Sequence, residues 1–275
     1  ITDPATLATT MALELESQSL ESCTPDDLQQ TCELAYLCLR DYPKDNLIAY
    51  GLLMLTSGLC WTCAYIIYIV ACRDGTYRGV PFAALILNLS WEFVFSFVWI
   101  EQMGAVQRNV NRIWFFFDCF LFLQYARCAY LQNKSSSAQE AMNLQQMMVS
   151  VAQYTLLAVT LAAMLICLIR ELHDYSGIYM AFGQNVVMSI LFTWEIWNTI
   201  TTTTKDFHFS STVAAGTLRC VGTLAASLAI GQWVRASVKT TPLLMFLFVG
   251  CFVWDIMYVG TAVRCWYRQQ KQPDE

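Results

Sequence analysis

Seven separated apolar stretches, each about long enough to cross a ~30 Å hydrocarbon core as a helix, constrain this chain more than any other feature. They cover roughly residues 47–72, 79–101, 110–131, 151–171, 175–198, 211–236 and 242–265. Backbone amides and carbonyls inside lipid have no water to bond, so only helices or a closed barrel can span it. A barrel would show ~10-residue segments of alternating apolar and polar residues, and the sequence lacks them. Charged residues make up 13% of the chain, against about 25% in an ordinary soluble domain. The expected fold is an all-α membrane protein, a bundle of seven transmembrane helices over residues 47–265 with a short amphipathic N-terminal segment. Pro81 and Pro242 stand at helix starts and no proline lies mid-span, unlike the broken helices of many transporters.

Residues 1–46 form a polar, acidic extension and 266–275 a polar tail. Thr24-Pro25-Asp26-Asp27 reads as a capped helix start with acids in its first turn. Leu28, Cys32, Ala35, Cys38 and Leu39 follow at helical spacing, which predicts an amphipathic helix against the membrane surface or the bundle. The extension lacks the order of a signal peptide and does not begin with methionine, which leaves room for an upstream piece. Nine of the twelve cysteines lie in or at the ends of the apolar stretches, where cysteine is a small buried hydrophobe. Cys60 and Cys63 form a lone C-x-x-C with no second pair to make a zinc site. One disulfide among Cys23, Cys32 and Cys38 stays open. Basic residues divide evenly between the two sides, so the positive-inside rule gives no orientation. Use of the sequon Asn133-Lys134-Ser135 would place its side, with the C-terminus, in the lumen.

An acid at the centre of the second span dominates the functional reading. Asn88-Leu89-Ser90-Trp91-Glu92-Phe93 puts Glu92 deep in an apolar segment, where a carboxylate costs at least ~2.5 to 3.5 kcal/mol and marks a functional site by default. A second acid, Asp255, follows Trp254 inside the last span. At 1.5 Å per residue, Glu92, Asp118, Asn185 and Asp255 come out at depths of ~12 to 20 Å, and Arg219 at ~18 to 25 Å. They are read as lining one cavity, with Glu92 and Asp255 as catalytic acids and Asn88, Asp118, Asn185 and Arg219 as a supporting polar site. Asp118 and Arg219 are equally candidates for an ion pair that fixes helix packing. Glu195 and Arg127 lie near span ends, within reach of the interface. The first and fourth spans are mostly apolar and are expected to face lipid or pack.

A carboxyl group removed from water can keep its proton and serve as a general acid, and a second carboxyl can assist it or take a proton back. Aromatic faces stabilise cations where no water quenches them. Trp61, Trp91, Phe93, Trp114, Phe117, Tyr125, Trp254 and Tyr258 lie in or beside the same spans and are the expected cation-stabilising wall.

At these residues the chain resembles the small integral-membrane terpene cyclases of fungal meroterpenoid and indole-diterpene biosynthesis. The likeness rests on the seven spans, on Asn88-Leu89-Ser90-Trp91-Glu92-Phe93 and on Trp254-Asp255, and covers residues 47–265. It implies that Glu92 and Asp255 are the essential acids. The reaction it implies is protonation of a terminal epoxide or alkene on a prenylated scaffold, followed by polyene cyclisation. A diphosphate-ionising synthase would need an Asp-rich magnesium site, and the nearest stretch, Asp26-Asp27-Leu28-Gln29-Gln30, lacks the third acid. No metal and no cofactor are expected. The expected partners are a lipophilic prenylated small molecule and the bilayer, with no nucleic acid and no obligatory protein partner. The location expected is a multi-pass position in a membrane, that of the endoplasmic reticulum if the host is eukaryotic.

Other seven-helix functions fit less well. All five lysines lie outside the spans, so no Schiff-base partner exists for retinal. His173 and His208 lie in loops and cannot pair across helices as haem ligands. The competing reading is a small bundle-type transporter or ligand receptor using Glu92 and Asp255 for proton or cation binding.

Overall fold

A computed structural model of the chain describes residues 44–72, 80–99, 105–132, 140–172, 174, 177–202, 209–237 and 242–271. Among the described residues every regular element is helical: α1 Lys44–Ala71, α2 Phe82–Phe93, α3 Ala105–Gln132, α4 Glu140–Glu171, α5 Ile178–Thr202, α6 Phe209–Ser237 and α7 Pro242–Lys271. Each expected span corresponds to one helix, and the chain is an all-α membrane protein. The amphipathic helix after Thr24, any disulfide among Cys23, Cys32 and Cys38, the sequon at Asn133, His173 and His208 lie outside the described residues.

Helix ends differ from the apolar boundaries. α4 begins at Glu140 rather than near 151, and α7 runs to Lys271 rather than near 265. Glu, Ala, Met, Leu and Gln are good helix formers, so the backbone keeps its hydrogen bonds after the apolar run has stopped. Four stretches are long and apolar enough to cross a membrane on those grounds alone: Ile48–Ala71, Met148–Glu171, Phe209–Gly231 and Pro242–Lys271. Phe82–Val98 is a shorter apolar helix. α3 and α5 are diluted by polar side chains turned inward, among them buried Asn111, Asp118, Ser189 and Thr193, as expected of polar groups within a membrane helix.

Backbone contacts divide the chain into two compact units, the larger made of residues 56–225 and 242–275. Within it α2 packs on α3, α4 and α5, and α5 packs most extensively on α7. The outward faces are apolar, with Leu156, Val159 and Met164 on α4 and Phe246, Val249 and Ile256 on α7 exposed, which suits lipid rather than water. Cys63 and Cys167 lie on outward surfaces and are exposed rather than buried, and all nine described cysteines are free thiols.

The second helix changes its winding immediately after the acid. Val94–Val98 is a π-helical turn, in which the Trp99 amide donates to the Val94 carbonyl five residues back at 2.7 Å. Such turns cluster at functional sites. Trp91, Val94 and Phe95 pack with Ala162, Leu165 and Ile169 of α4, which holds this turn in place. Phe95 also lies against Gly177, whose φ of +69° and lack of a side chain admit the ring at the start of α5. There the Asp174 carboxylate accepts from the Met180 amide at 2.8 Å and caps the helix.

Candidate active site

One cavity of about 20 Å³ opens inside the larger unit. Its apolar wall comes from Trp61, Ala64, Tyr65 and Tyr68 of α1, Val80, Ala84 and Leu85, Leu121 of α3, and Met188 and Phe192 of α5. Its polar lining is Asn88, Asp118 and Arg219. Residues 61, 64, 65 and 68 recur at helical spacing, so α1 turns one face inward. The first span, expected to face lipid or pack, therefore supplies a full wall.

Two polar clusters meet this cavity. In the first, the Asn88 side-chain amide donates to Asp118 Oδ2 at 2.8 Å and to the Tyr65 hydroxyl, and its carbonyl accepts from Gln184 Nε2 at 3.1 Å. Glu92 stands one helical turn beyond Asn88 on the same face. It is 2% exposed, lies within electrostatic reach of Asp118, and its Oε2 has no hydrogen-bond partner among the described residues. In the second cluster, Asp255 Oδ1 accepts from Ser189 Oγ at 2.7 Å and from Arg219 Nη2 at 3.0 Å. The guanidinium carbon of Arg219 sits 3.7 Å from the Phe192 ring centroid, with Trp61 and Tyr258 at 5.6 and 5.7 Å. A desolvated cation over aromatic faces gains about 2 kcal/mol or more.

Small residues make room for this packing. A Cβ on Gly216 would lie 2.5 Å from the Tyr258 ring, and one on Gly222 would lie 2.8 Å from Trp61. Tyr258 and Trp61 thus reach Arg219 because α6 presents bare backbone to them.

These sequence motifs and this helical frame place the chain in a family whose model, the Pyr4-like transmembrane terpene cyclases, matches residues 40–270. The chain belongs to that family. Among curated relatives, the Pyr4-family terpene cyclase mfmH of Annulohypoxylon moriforme is 40% identical over 70 residues, 25% of this chain and 26% of that protein. The terpene cyclase macJ of Penicillium terrestre is 26% identical over 228 residues, 79% of this chain and 82% of that protein. No solved structure matches the chain.

Several residues of this Pyr4-like family member sit elsewhere than the sequence reading put them. Neither Glu92 nor Asp255 lines the cavity; Glu92 lies one turn along α2 from the lining residue Asn88, and Asp255 is bonded to the lining residue Arg219. Arg219 pairs with Asp255 instead of Asp118, whose carboxylate is bound by the neutral amide of Asn88. Gln184, not Asn185, reaches Asn88. Of the expected aromatic wall, Trp61 lines the cavity and Trp114, Phe117 and Tyr258 belong to the core packed around it. Trp91 packs on Phe95 away from it. Phe93 is exposed and meets Phe97 and Phe115, and Tyr125 stacks on Phe82. Trp254 is half-buried, and its carbonyl accepts from Thr193 at 3.2 Å. Glu195 and Arg127 are exposed, as their span-end positions implied. Tyr65, Tyr68, Ser189, Gln184 and Phe192 were not singled out from sequence. Tyr65 and Tyr68 carried a signal, two hydroxyls one turn apart on an otherwise apolar helix. Among the described residues no three His, Cys, Asp or Glu side chains gather as metal ligands do.

Proposed function

We propose that this family member cyclises a prenylated, terminally epoxidised polyene by an acid-initiated, metal-independent reaction of meroterpenoid biosynthesis. The observation that carries the reading is the position of Glu92, a buried acid with one oxygen unpartnered among the described residues, one turn along α2 from the Asn88 amide that, with the Asp118 carboxyl, faces a ring-lined cavity. Two carboxyl groups close together in apolar surroundings can share one proton, and Glu92 with Asp118, both buried in the same unit, is the pair proposed for this role. In the proposed cycle the proton passes to the epoxide oxygen and the C–O bond opens. Successive alkene π bonds then close the rings, and loss of a proton from carbon ends the cascade. Net composition is unchanged, so the product is an isomer of the substrate. Trp61, Tyr65, Tyr68 and Phe192 offer π faces to the migrating charge. Asp255, paired with Arg219 at 3.0 Å, is suited to hold that guanidinium in the cavity wall, and the carboxyl pair that gave up the proton is suited to take the one lost from carbon.

A cavity of about 20 Å³ is on the order of one water's space, so a prenyl chain enters by displacing the aromatic walls. With this reading goes a place in the endoplasmic reticulum membrane if the host is eukaryotic, and work without an obligatory protein partner.

The test is to incubate membranes containing the protein with an epoxidised prenyl-aromatic compound, with and without a chelator. An isomer of altered retention, formed by wild type in both conditions and lost in Glu92→Gln, supports the proposal. Absence of any isomer, together with proton-coupled solute uptake, would instead support the transporter reading.

A further inference from the structure

Around the Arg219 guanidinium the larger unit buries more hydrogen-bonding atoms than it satisfies. Arg219 is 1% exposed, and its Nη2 serves both Ser189 and Asp255. Its Nε and Nη1, Asp255 Oδ2 and the Tyr68 and Tyr258 hydroxyls make no well-formed hydrogen bond among the described residues, though the Tyr68 hydroxyl faces both Arg219 and the Tyr258 hydroxyl at longer range. Arg219 and Tyr68 line the cavity, and the Tyr258 ring is 5.7 Å from the guanidinium carbon. Native interiors leave few such atoms unpaired, so five around one guanidinium, three of them on the cavity-lining residues Arg219 and Tyr68, call for an occupant that is itself polar.

The chemistry of the five atoms limits that occupant. Arg219 can only donate, Asp255 Oδ2 accepts, and the two tyrosine hydroxyls do either. The Arg219–Asp255 pair has no net charge, so the recess offers an anion such as a diphosphate or carboxylate no surplus cation. We infer that Arg219 and Tyr68, backed by Tyr258, form a head-group subsite that binds a neutral hydroxyl or carbonyl oxygen on the non-prenyl part of the substrate. This rests on the cyclase reading and adds an orientation to it. The oxygenated ring lies against Arg219, and the prenyl chain runs toward Asp118 and Glu92. Arg219 is in this role a specificity-determining residue.

The test compares two probes with the full-length protein in membranes: a farnesyl-phenol carrying a terminal epoxide, and the matched farnesyl-benzene epoxide lacking the ring oxygen. Wild type is expected to prefer the phenol in kcat/KM by about 10-fold or more, since a site built to bond an oxygen discriminates against its absence. Tyr68→Phe, which removes one oxygen and keeps the ring, should cut that preference about 3- to 10-fold, chiefly through KM. Arg219→Lys, which keeps the charge and loses the fork, should lower it further. If the recess holds only water, or if the residues act only in packing, the variants will slow both probes equally and the ratio will not move. That result overturns the subsite and leaves the cyclase reading standing. No cyclised product from wild type with either probe would sink the cyclase reading, and the subsite with it.

Discussion

Arg219 and Asp255 meet at 3.0 Å in the interior of the larger unit, both almost completely shielded, and the carboxylate keeps one oxygen unpartnered among the described residues. Removing either partner alone leaves a buried charge without its counterpart, at a cost of about 3–5 kcal/mol. Asp255→Leu and Arg219→Met are each expected to unfold at lower temperature in detergent. The double variant Arg219→Met/Asp255→Leu should recover much of that loss while remaining inactive. Thermal unfolding followed by intrinsic fluorescence measures this; a double variant less stable than either single one would show that the pair is not coupled.

Glu92→Gln keeps the size and buried position of the side chain and removes the acid. Turnover should fall by about 100-fold or more, the range a general acid supplies, with the elution profile in detergent unchanged. Asp118→Asn is expected to lose less, because Asn88 and Tyr65 can still bond the replacement amide. Equal losses from the two variants would mean that the proton resides on Asp118, or on both.

Asn88 holds three partners at once: Asp118, Tyr65 and Gln184. Asn88→Leu leaves a buried carboxylate oxygen unbonded, a penalty of about 1–3 kcal/mol. Gln184→Leu breaks one bond at the edge of the network and should cost less in both stability and rate. Denaturation midpoints and initial rates of the two variants should keep that order.

Gly216 and Gly177 separate effects on product from effects on folding. Gly216→Ala forces the buried Tyr258 ring to shift and should alter the ratio of cyclised products in the folded fraction at a cost of about 1–3 kcal/mol in stability, read by chromatography of the product mixture. Gly177→Ala meets the Phe95 ring and needs a positive φ, so it should destabilise by more than about 1 kcal/mol. Its product ratio should be unaltered in the folded fraction.

Much of this was legible in the sequence, and the part that was not has a common cause. Helix number, the inward burial of Glu92, Asp118, Arg219 and Asp255, and the apolar outward face of α4 follow from hydropathy and from the cost of a charge in lipid. Choice of partner does not. One residue along a helix is a rotation of about 100°, which is the whole difference between Gln184 and Asn185. Depth along the membrane normal put Arg219 level with Asp255 and farther from Asp118, so the pairing that forms is the one depth favoured, although the sequence reading kept Asp118 as the candidate. Trp91, Phe93, Tyr125 and Trp254 were grouped by closeness in sequence to the acids, whereas neighbours on a helix point in different directions. The inward face of α1 was hidden because tyrosine and tryptophan count as apolar in a hydropathy reading.

The wide turn at Val94–Val98 gives this protein a built-in spare residue. Deleting one position there would let α2 continue at ordinary pitch, the wide turn absorbing the missing residue so that Trp99 keeps its facing while Glu92 stays fixed. Loop grafts or shuffled halves joined at this point would therefore tolerate a one-residue mismatch and inherit an intact acid with an unrotated distal end, making it a natural seam for re-engineering the family's chamber.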